Sequence, residues 1–263
     1  MENRKRIVIK VGTSTLTYEN GKLNLRRFQQ LCRVISDLQN AGNEMILVSS
    51  GALGVGVGKL GIKEKPSETP KKQAIAAVGQ CELMFMYDKI FGEYDNMAAQ
   101  MLLTRSVIDD ELLRTNALNT FEALIAMRII PVVNENDSVA TDEIEGANYG
   151  DNDMLSALVA KLVGADRLVI MTDIDGLFET NPRVDPYAKL LKRVPEIDDE
   201  IKKMAGGTGS NRGTGGMSTK VAAAEIATKS GIECCVLNGS NPEVLYELMD
   251  GHNPGTIFEA VKK

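Results

Sequence analysis

Residues 6–14 read RIVIKVGTS, and the first six of them decide the fold. Arg6–Val11 (RIVIKV) is short, apolar and rich in β-branched residues, the pattern of a strand buried on both faces, and it runs straight into Gly12. The pattern returns at Glu44–Ser49 (EMILVS), at residues 97–103 and 129–133, at 167–171 (RLVIM) and at 232–237. Helical spacing fills the gaps. Leu25, Phe28, Leu31, Cys32, Ile35 and Leu38 fall on one helical face, with Gly42 as the stop. Thr69 and Pro70 suit the N-cap and first position of a long helix through Ala74, Val78, Met84 and Ile90. Further helices are expected over 112–127, 154–163, 198–204 and 217–230, with strand-like runs at 189–194 and 255–259. Strands alternating with helices predict an α/β protein, an αβα sandwich with a largely parallel central sheet, because parallel strands need crossovers. Ligands in such folds gather beyond the carboxyl ends of the strands.

Composition limits the functional classes. The chain has 263 residues, 43% hydrophobic and 25% charged, enough for a sizeable core in one domain or two fused lobes. A net charge of −6 argues against nucleic acid as a partner, since its binders carry a clustered basic face. The apolar runs are too short to span a bilayer, and the charged start at residues 1–6 does not read as a signal peptide, so no membrane partner and a cytoplasmic location are expected. Cys32, Cys81, Cys234 and Cys235 form no CxxC pair and have one histidine for company, the pattern of reduced structural thiols.

Chemistry is concentrated in loops that leave strands. Lys10 precedes Gly12, Thr13 and Ser14 at the end of the first strand, where a glycine lets backbone approach an anion and the hydroxyls add donors. A lysine before a glycine is ordinarily a solvated charge, so this feature gains weight only from its companions. Residues 49–58 form a glycine-rich stretch read as a loop. Gly56, Gly58 and Gly61 match GxGxxG formally, but they start several residues after the strand and lack a following helix, which excludes a dinucleotide fingerprint. Ser50 and Gly51, at the strand end, are better placed for a small carboxylate. Asn134, Glu135, Asn136 and Asp137 follow the fourth strand, and Gly150, Asp151, Asn152 and Asp153 precede a helix. Helix capping accounts for Asp151 or Asn152 alone, but not for four polar residues directly after a buried strand. Any metal here would be a hard, oxygen-liganded ion such as magnesium arriving with its nucleotide. Thr172 and Asp173 end the fifth strand. The stretch 209–216 is glycine-rich, and Met217, Ser218, Thr219 and Lys220 open a helix whose amides suit phosphate oxygens. No GxxxxGK[ST] string occurs, so a Walker loop is excluded. Two lysines from the two halves of one sheet, with aspartates between, can offset charge on a transferring phosphoryl group.

The strings IVIKVGTS, VSSGA, AAVGQ, QMLLTR, PVVNENDSV, GDNDMLSA, TDIDGL and GTGGMSTK, in this order over nearly the whole chain, resemble the amino acid kinase superfamily. NENDSV with GDND resembles its glutamate-directed branch rather than the branches acting on aspartate, acetylglutamate or UMP. The resemblance implies a single amino acid kinase domain over residues 1–263, with a glutamate lobe at about 1–165 and an ATP lobe at about 166–263, and no C-terminal PUA domain. It implies an enzyme that moves the γ-phosphoryl group of ATP, with Mg2+, to the side-chain carboxylate of L-glutamate, giving L-glutamyl 5-phosphate for proline biosynthesis. Lys10, Lys220, Asp151 and Asp153 would be catalytic, with Asp151 orienting the lysines and Asp153 positioning substrate or magnesium. Ser50, Gly51, Asp137, Asn152 and Asn134 would hold glutamate. Lys10, Thr172, Asp173, Thr214, Gly215, Gly216, Met217, Ser218, Thr219 and Lys220 would hold ATP, under a lid at 206–216. Proline as feedback inhibitor and a homo-oligomer through the helix at 70–94 are also implied. The alternatives are a sibling kinase with another acceptor and a non-catalytic sensor of nucleotide or amino acid, which should have lost a lysine or aspartate of the phosphoryl site.

Overall fold

The computed structural model describes residues 4–64, 66–140, 152–206 and 216–261. Strand β1 (Arg6–Val11) leads through the one-turn helix α1 (Thr13–Leu16) into α2 (Leu25–Asn40). β2 (Glu44–Ser49) is followed by α3 (Ala52–Leu60) and α4 (Thr69–Gly92), and β3 (Ala98–Leu103) by α5 (Arg105–Asp109) and α6 (Glu111–Ala126). β4 (Ile130–Glu135), α7 (Asn152–Leu162), β5 (Arg167–Thr172), β6 (Arg193–Val194), α8 (Asp199–Ala205) and α9 (Met217–Lys229) come next. β7 (Glu233–Asn238), α10 (Val244–Met249) and β8 (Thr256–Phe258) complete the series.

All eight strands join one sheet in the order β3-β4-β2-β1-β5-β7-β8-β6. Its pairs are parallel except β7 with β8. β1 lies between β2 and β5, so the chain builds outward on one side of β1 and later on the other. The carboxyl end of β1 is therefore a topological switch point, where the outgoing loops part and leave a crevice.

Strand alternation assigns side chains to the two layers. Ile7, Ile9 and Val11 pack into the core under α2, α3, α4 and α10, while Val8 packs into the core under α6, α7 and α9. Lys10 shares the parity of Val8, so β1 delivers its ammonium to the α7 and α9 side. The same rule separates Cys234 from Cys235, which enter opposite cores as free thiols. Burial pushes the Cys32 and Cys234 thiols well up and that of Cys235 up to about 12.

The expected αβα sandwich is present, but four local readings need correction. The glycine-rich stretch after Ser49 is not a loop: it is α3, entered by Gly51 at φ +104°. Its glycines serve packing. A Cβ at Gly56 would lie 2.0 Å from the Ile75 carbonyl oxygen, and one at Gly79 would lie 1.8 Å from that of Ala52. The backbones of α3 and α4 thus touch, and this contact offsets the roughly 1 kcal/mol that each helical glycine costs against alanine. Asn134 and Glu135 are the last two residues of β4 rather than part of the loop beyond it, and the strand expected at 189–194 contracts to Arg193–Val194. Glu68 rather than Thr69 takes the N-cap of α4.

Gly79→Ala should lower stability by about 2 kcal/mol or more in urea denaturation, because backbone rather than a movable side chain occupies the space. Gly92→Ala, on the same helix with nothing within 4 Å of its added Cβ, should cost nothing.

Candidate active site

Three groups from distant parts of the chain meet at the carboxyl end of β1. Asp153, in the first turn of α7, is fully buried. Its Oδ1 lies 2.6 Å from Lys10 Nζ and its Oδ2 3.0 Å from Lys220 Nζ, which α9 supplies from its own first turn. Thr219 completes the clamp, with its hydroxyl 2.9 Å from Asp153 Oδ2 and 2.8 Å from the Gly216 carbonyl. Both lysines are 5% exposed. Burial by itself would raise the Asp153 carboxyl, but the two ammoniums outweigh it and hold the group well below the usual carboxylate range. Among the described residues this cluster carries two positive charges against one negative. Buried ammoniums at the mouth of a parallel sheet are suited to meet an anion.

To one side lies a wall of amides. Asn134 Nδ2 donates to Gln80 Oε1 at 2.8 Å, and Asn152 Nδ2 donates to Asn134 Oδ1 at 3.1 Å. The Glu135 backbone N–H donates to the same Asn134 oxygen at 2.9 Å. Asp137, just beyond β4, is 8% exposed, and desolvation pushes its carboxyl up to about 6. Ser50 and Gly51 close this wall from β2. The Ser50 N–H donates to the Val11 carbonyl at 3.1 Å, and Ser49 Oγ sits 2.8 Å from the hydroxyl of the fully buried Tyr87.

To the other side lies a cleft of about 700 Å³ open to solvent, lined by Thr172, Asp173, Phe178, Met204, Met217 and Lys220 among others. Arg183 reaches Asp173 at 3.0 Å across its mouth. Among the described residues Lys220 belongs to both the cleft and the charged clamp, so a ligand in the cleft would reach the clamp at Lys220.

The structure thus brings together Lys10, Ser50, Gly51, Asn134, Asp137, Asn152, Asp153, Thr172, Asp173, Gly216, Met217, Thr219 and Lys220 along one sheet edge. Ser218 is exposed at the start of α9. Asp151, Thr214 and Gly215 lie outside the described residues, as does most of the expected lid. Asp153 meets both lysines, each of its two oxygens facing one ammonium. Gln80, Tyr87 and Arg183 were missed. Gln80 and Tyr87 sit on the buried face of α4, and their only signal is that a polar group there must find a buried partner. Among the described residues no cluster of three or more His, Cys, Asp or Glu could hold a metal ion, and no helix is long and apolar enough to cross a membrane.

A parallel sheet with two lysines clamped at its switch point defines a phosphate-handling α/β protein. The chain belongs to the amino acid kinase family, which matches residues 5–238. It is 55% identical over its whole length to a glutamate 5-kinase of Clostridium perfringens, covering 98% of that protein. Glutamate 5-kinases of Clostridium tetani and Listeria innocua are 52% and 50% identical over the whole chain, which covers 97% and 96% of them. Among solved structures, UMP kinases of Bacillus anthracis and Ureaplasma parvum superpose with TM-scores of 0.65 and 0.64 over 98% of the chain, at 16% and 12% identity. They cover 97% and 99% of those chains and share the fold.

Asp153→Asn leaves two buried ammoniums without their carboxylate and should cost about 3–5 kcal/mol in urea denaturation at pH 7. Asp137→Asn should act in the opposite direction. Its folded pKa is raised, so protonation favours the folded state below the unfolded value near 4 and that advantage is lost as pH rises through about 6. Near pH 7 the variant should gain stability, by about 3 kcal/mol if the whole shift is recovered. At pH 4 the gain should vanish in the same denaturation series.

Proposed function

We propose that this protein transfers the γ-phosphoryl group of ATP to the side-chain carboxylate of L-glutamate, giving L-glutamyl 5-phosphate, the first step of proline biosynthesis. The observation that carries the reading is the Asp153 clamp, which holds Lys10 and Lys220 between an open cleft and a wall of amides and a carboxylate. Full-length identity of 50–55% to glutamate 5-kinases supports the choice of acceptor.

In this reading residues 1–165 carry glutamate and 166–263 carry ATP. The nucleotide lies along Thr172, Asp173 and residues 214–220, with its γ-phosphate toward the lysines. Glutamate sits against Ser50, Gly51, Asn134, Asp137 and Asn152. Its side-chain carboxylate is ionised at neutral pH, so no general base is needed. The protein's work is alignment and charge neutralisation: Lys10 and Lys220 face the equatorial oxygens of the transferring group while Asp153 keeps both ammoniums charged and aimed. Asp151 would join Asp153 in that task. Mg2+, whose ligands in such sites are largely phosphate oxygens and water, would supply further positive charge on the phosphates.

The same wall would take proline as a feedback inhibitor, since Asp137 meets its ammonium as it meets that of glutamate. A homo-oligomer would form through α4, whose outer face exposes Ala74, Ala77, Cys81 and Phe85, the last 61% exposed. Four free cysteines agree with a reducing cytoplasmic setting.

ADP release measured with glutamate, aspartate, acetylglutamate and UMP, with hydroxylamine trapping of the acyl phosphate, tests the reading. Hydroxamate is expected with glutamate alone, and its absence would sink the proposal. Lys10→Ala and Lys220→Ala should each lose roughly a hundredfold or more in kcat while remaining folded.

A further inference from the structure

The wall that follows β5 has no regular structure of its own to hold its shape. Residues 173–177 form neither helix nor strand, yet Asp173, Ile174, Gly176 and Leu177 all line the cleft. They are held from behind. The Leu177 N–H donates to the Thr256 hydroxyl at 2.8 Å, a contact between residues 79 apart in the chain. Thr256 opens β8, pairs with Val236 of β7 and is 0% exposed. Loop and strand touch closely here. A Cβ at Gly176 would lie 2.4 Å from Thr256 Oγ1, and one at Gly255 would lie 2.9 Å from the Asp175 carbonyl oxygen and 2.2 Å from that of Val236. A second tether comes from the end of β7. The Ser240 N–H donates to Asn238 Oδ1 at 2.9 Å, which turns the Asn238 NH2 toward Asp175, whose Oδ1 accepts it at 2.7 Å.

We propose that Thr256 is a positioning residue of the nucleotide cleft, its hydroxyl setting the wall against which ATP lies. The inference rests on the reading that the cleft holds ATP. Thr256 is sealed from solvent and cannot itself touch a ligand there, so its effect passes through the backbone of Leu177. The peptide groups of Leu177 are held on two sides, its N–H by Thr256 and its carbonyl by the Leu191 N–H at 2.8 Å. Leu177 is itself 1% exposed, so an N–H deprived of its acceptor there stays desolvated unless the wall shifts to find another. A shifted wall no longer matches the nucleotide. The lysine clamp comes from β1, α7 and α9, and the amide wall from β2, β4 and α4, so the hold on the transferring group and on glutamate does not run through β8.

The test is titration calorimetry of the full chain with magnesium and the β,γ-imido analogue of ATP, which is not hydrolysed, alongside steady-state kinetics with glutamate. Thr256→Val, which keeps the shape of the side chain and removes the hydroxyl, should weaken the analogue and raise the KM for ATP by about fivefold or more, the scale of one lost hydrogen bond. The KM for glutamate and kcat should stay within about twofold. Thr256→Ser, which restores the hydroxyl, should return the analogue affinity to within about twofold of the wild type. If Thr256→Val does not fold, Asn238→Ala, at a half-buried position, is held to the same result. An equal loss for both substrates, or no recovery with Thr256→Ser, overturns the inference. A wild type that binds no analogue overturns the ATP reading of the cleft and the inference with it. A wild type and a Thr256→Val variant that bind it equally well overturn the inference alone, so the two failures are distinguishable.

Discussion

Two ammoniums on one buried carboxylate organise this molecule. Lys10, Asp153 and Lys220 come from β1, α7 and α9, parts of the chain that meet only when the sheet has closed on both sides of β1. Burying any one of them alone would be costly, and the ion contacts offset that cost only when all three are in place. The clamp therefore couples the fold to its charge pattern. It also places the Lys220 ammonium at the adjacent cleft.

The surrounding structure is arranged to hold this clamp at the junction of two unlike surfaces. One is the amide and carboxylate wall fed by β2, β4 and α4. The other is the cleft below β5 and α9. α4 is the less obvious contributor. Its close approach to α3 through Gly56 and Gly79 sets its depth, and at that depth Gln80 reaches Asn134 while Tyr87 reaches Ser49. A helix that packs one face into the core thus also supports the wall from behind.

The elevated Asp137 carboxyl and the depressed Asp153 carboxyl show two uses of burial within one site. Asp153 has its cations and stays charged at low pH. Asp137 is desolvated with its shift set by burial, a state that favours meeting a positive group. Stability given up at Asp137 is recoverable on binding, as expected where a site is shaped for its ligand rather than for the empty protein.

Much of this was legible in the chain itself. Strand and helix periodicity carried the α/β layering and the gathering of polar loops at one sheet edge, because these depend on local alternation and on short connections. The opposite placing of Cys234 and Cys235 followed from the same alternation. Residue order alone misjudged residues 52–60, since glycine argues against helix locally and only contact with α4 reverses that. It did not show that both oxygens of Asp153 would meet a lysine, because the direction of a side chain at a helix start is set by how α7 docks on β1. Gln80 and Tyr87 were invisible, their partners lying 54 and 38 residues away. The sequence by itself determined which chemical groups the sheet edge would hold. The tertiary structure decided which of them touch, because contact between distant residues is a property of packing and not of spacing.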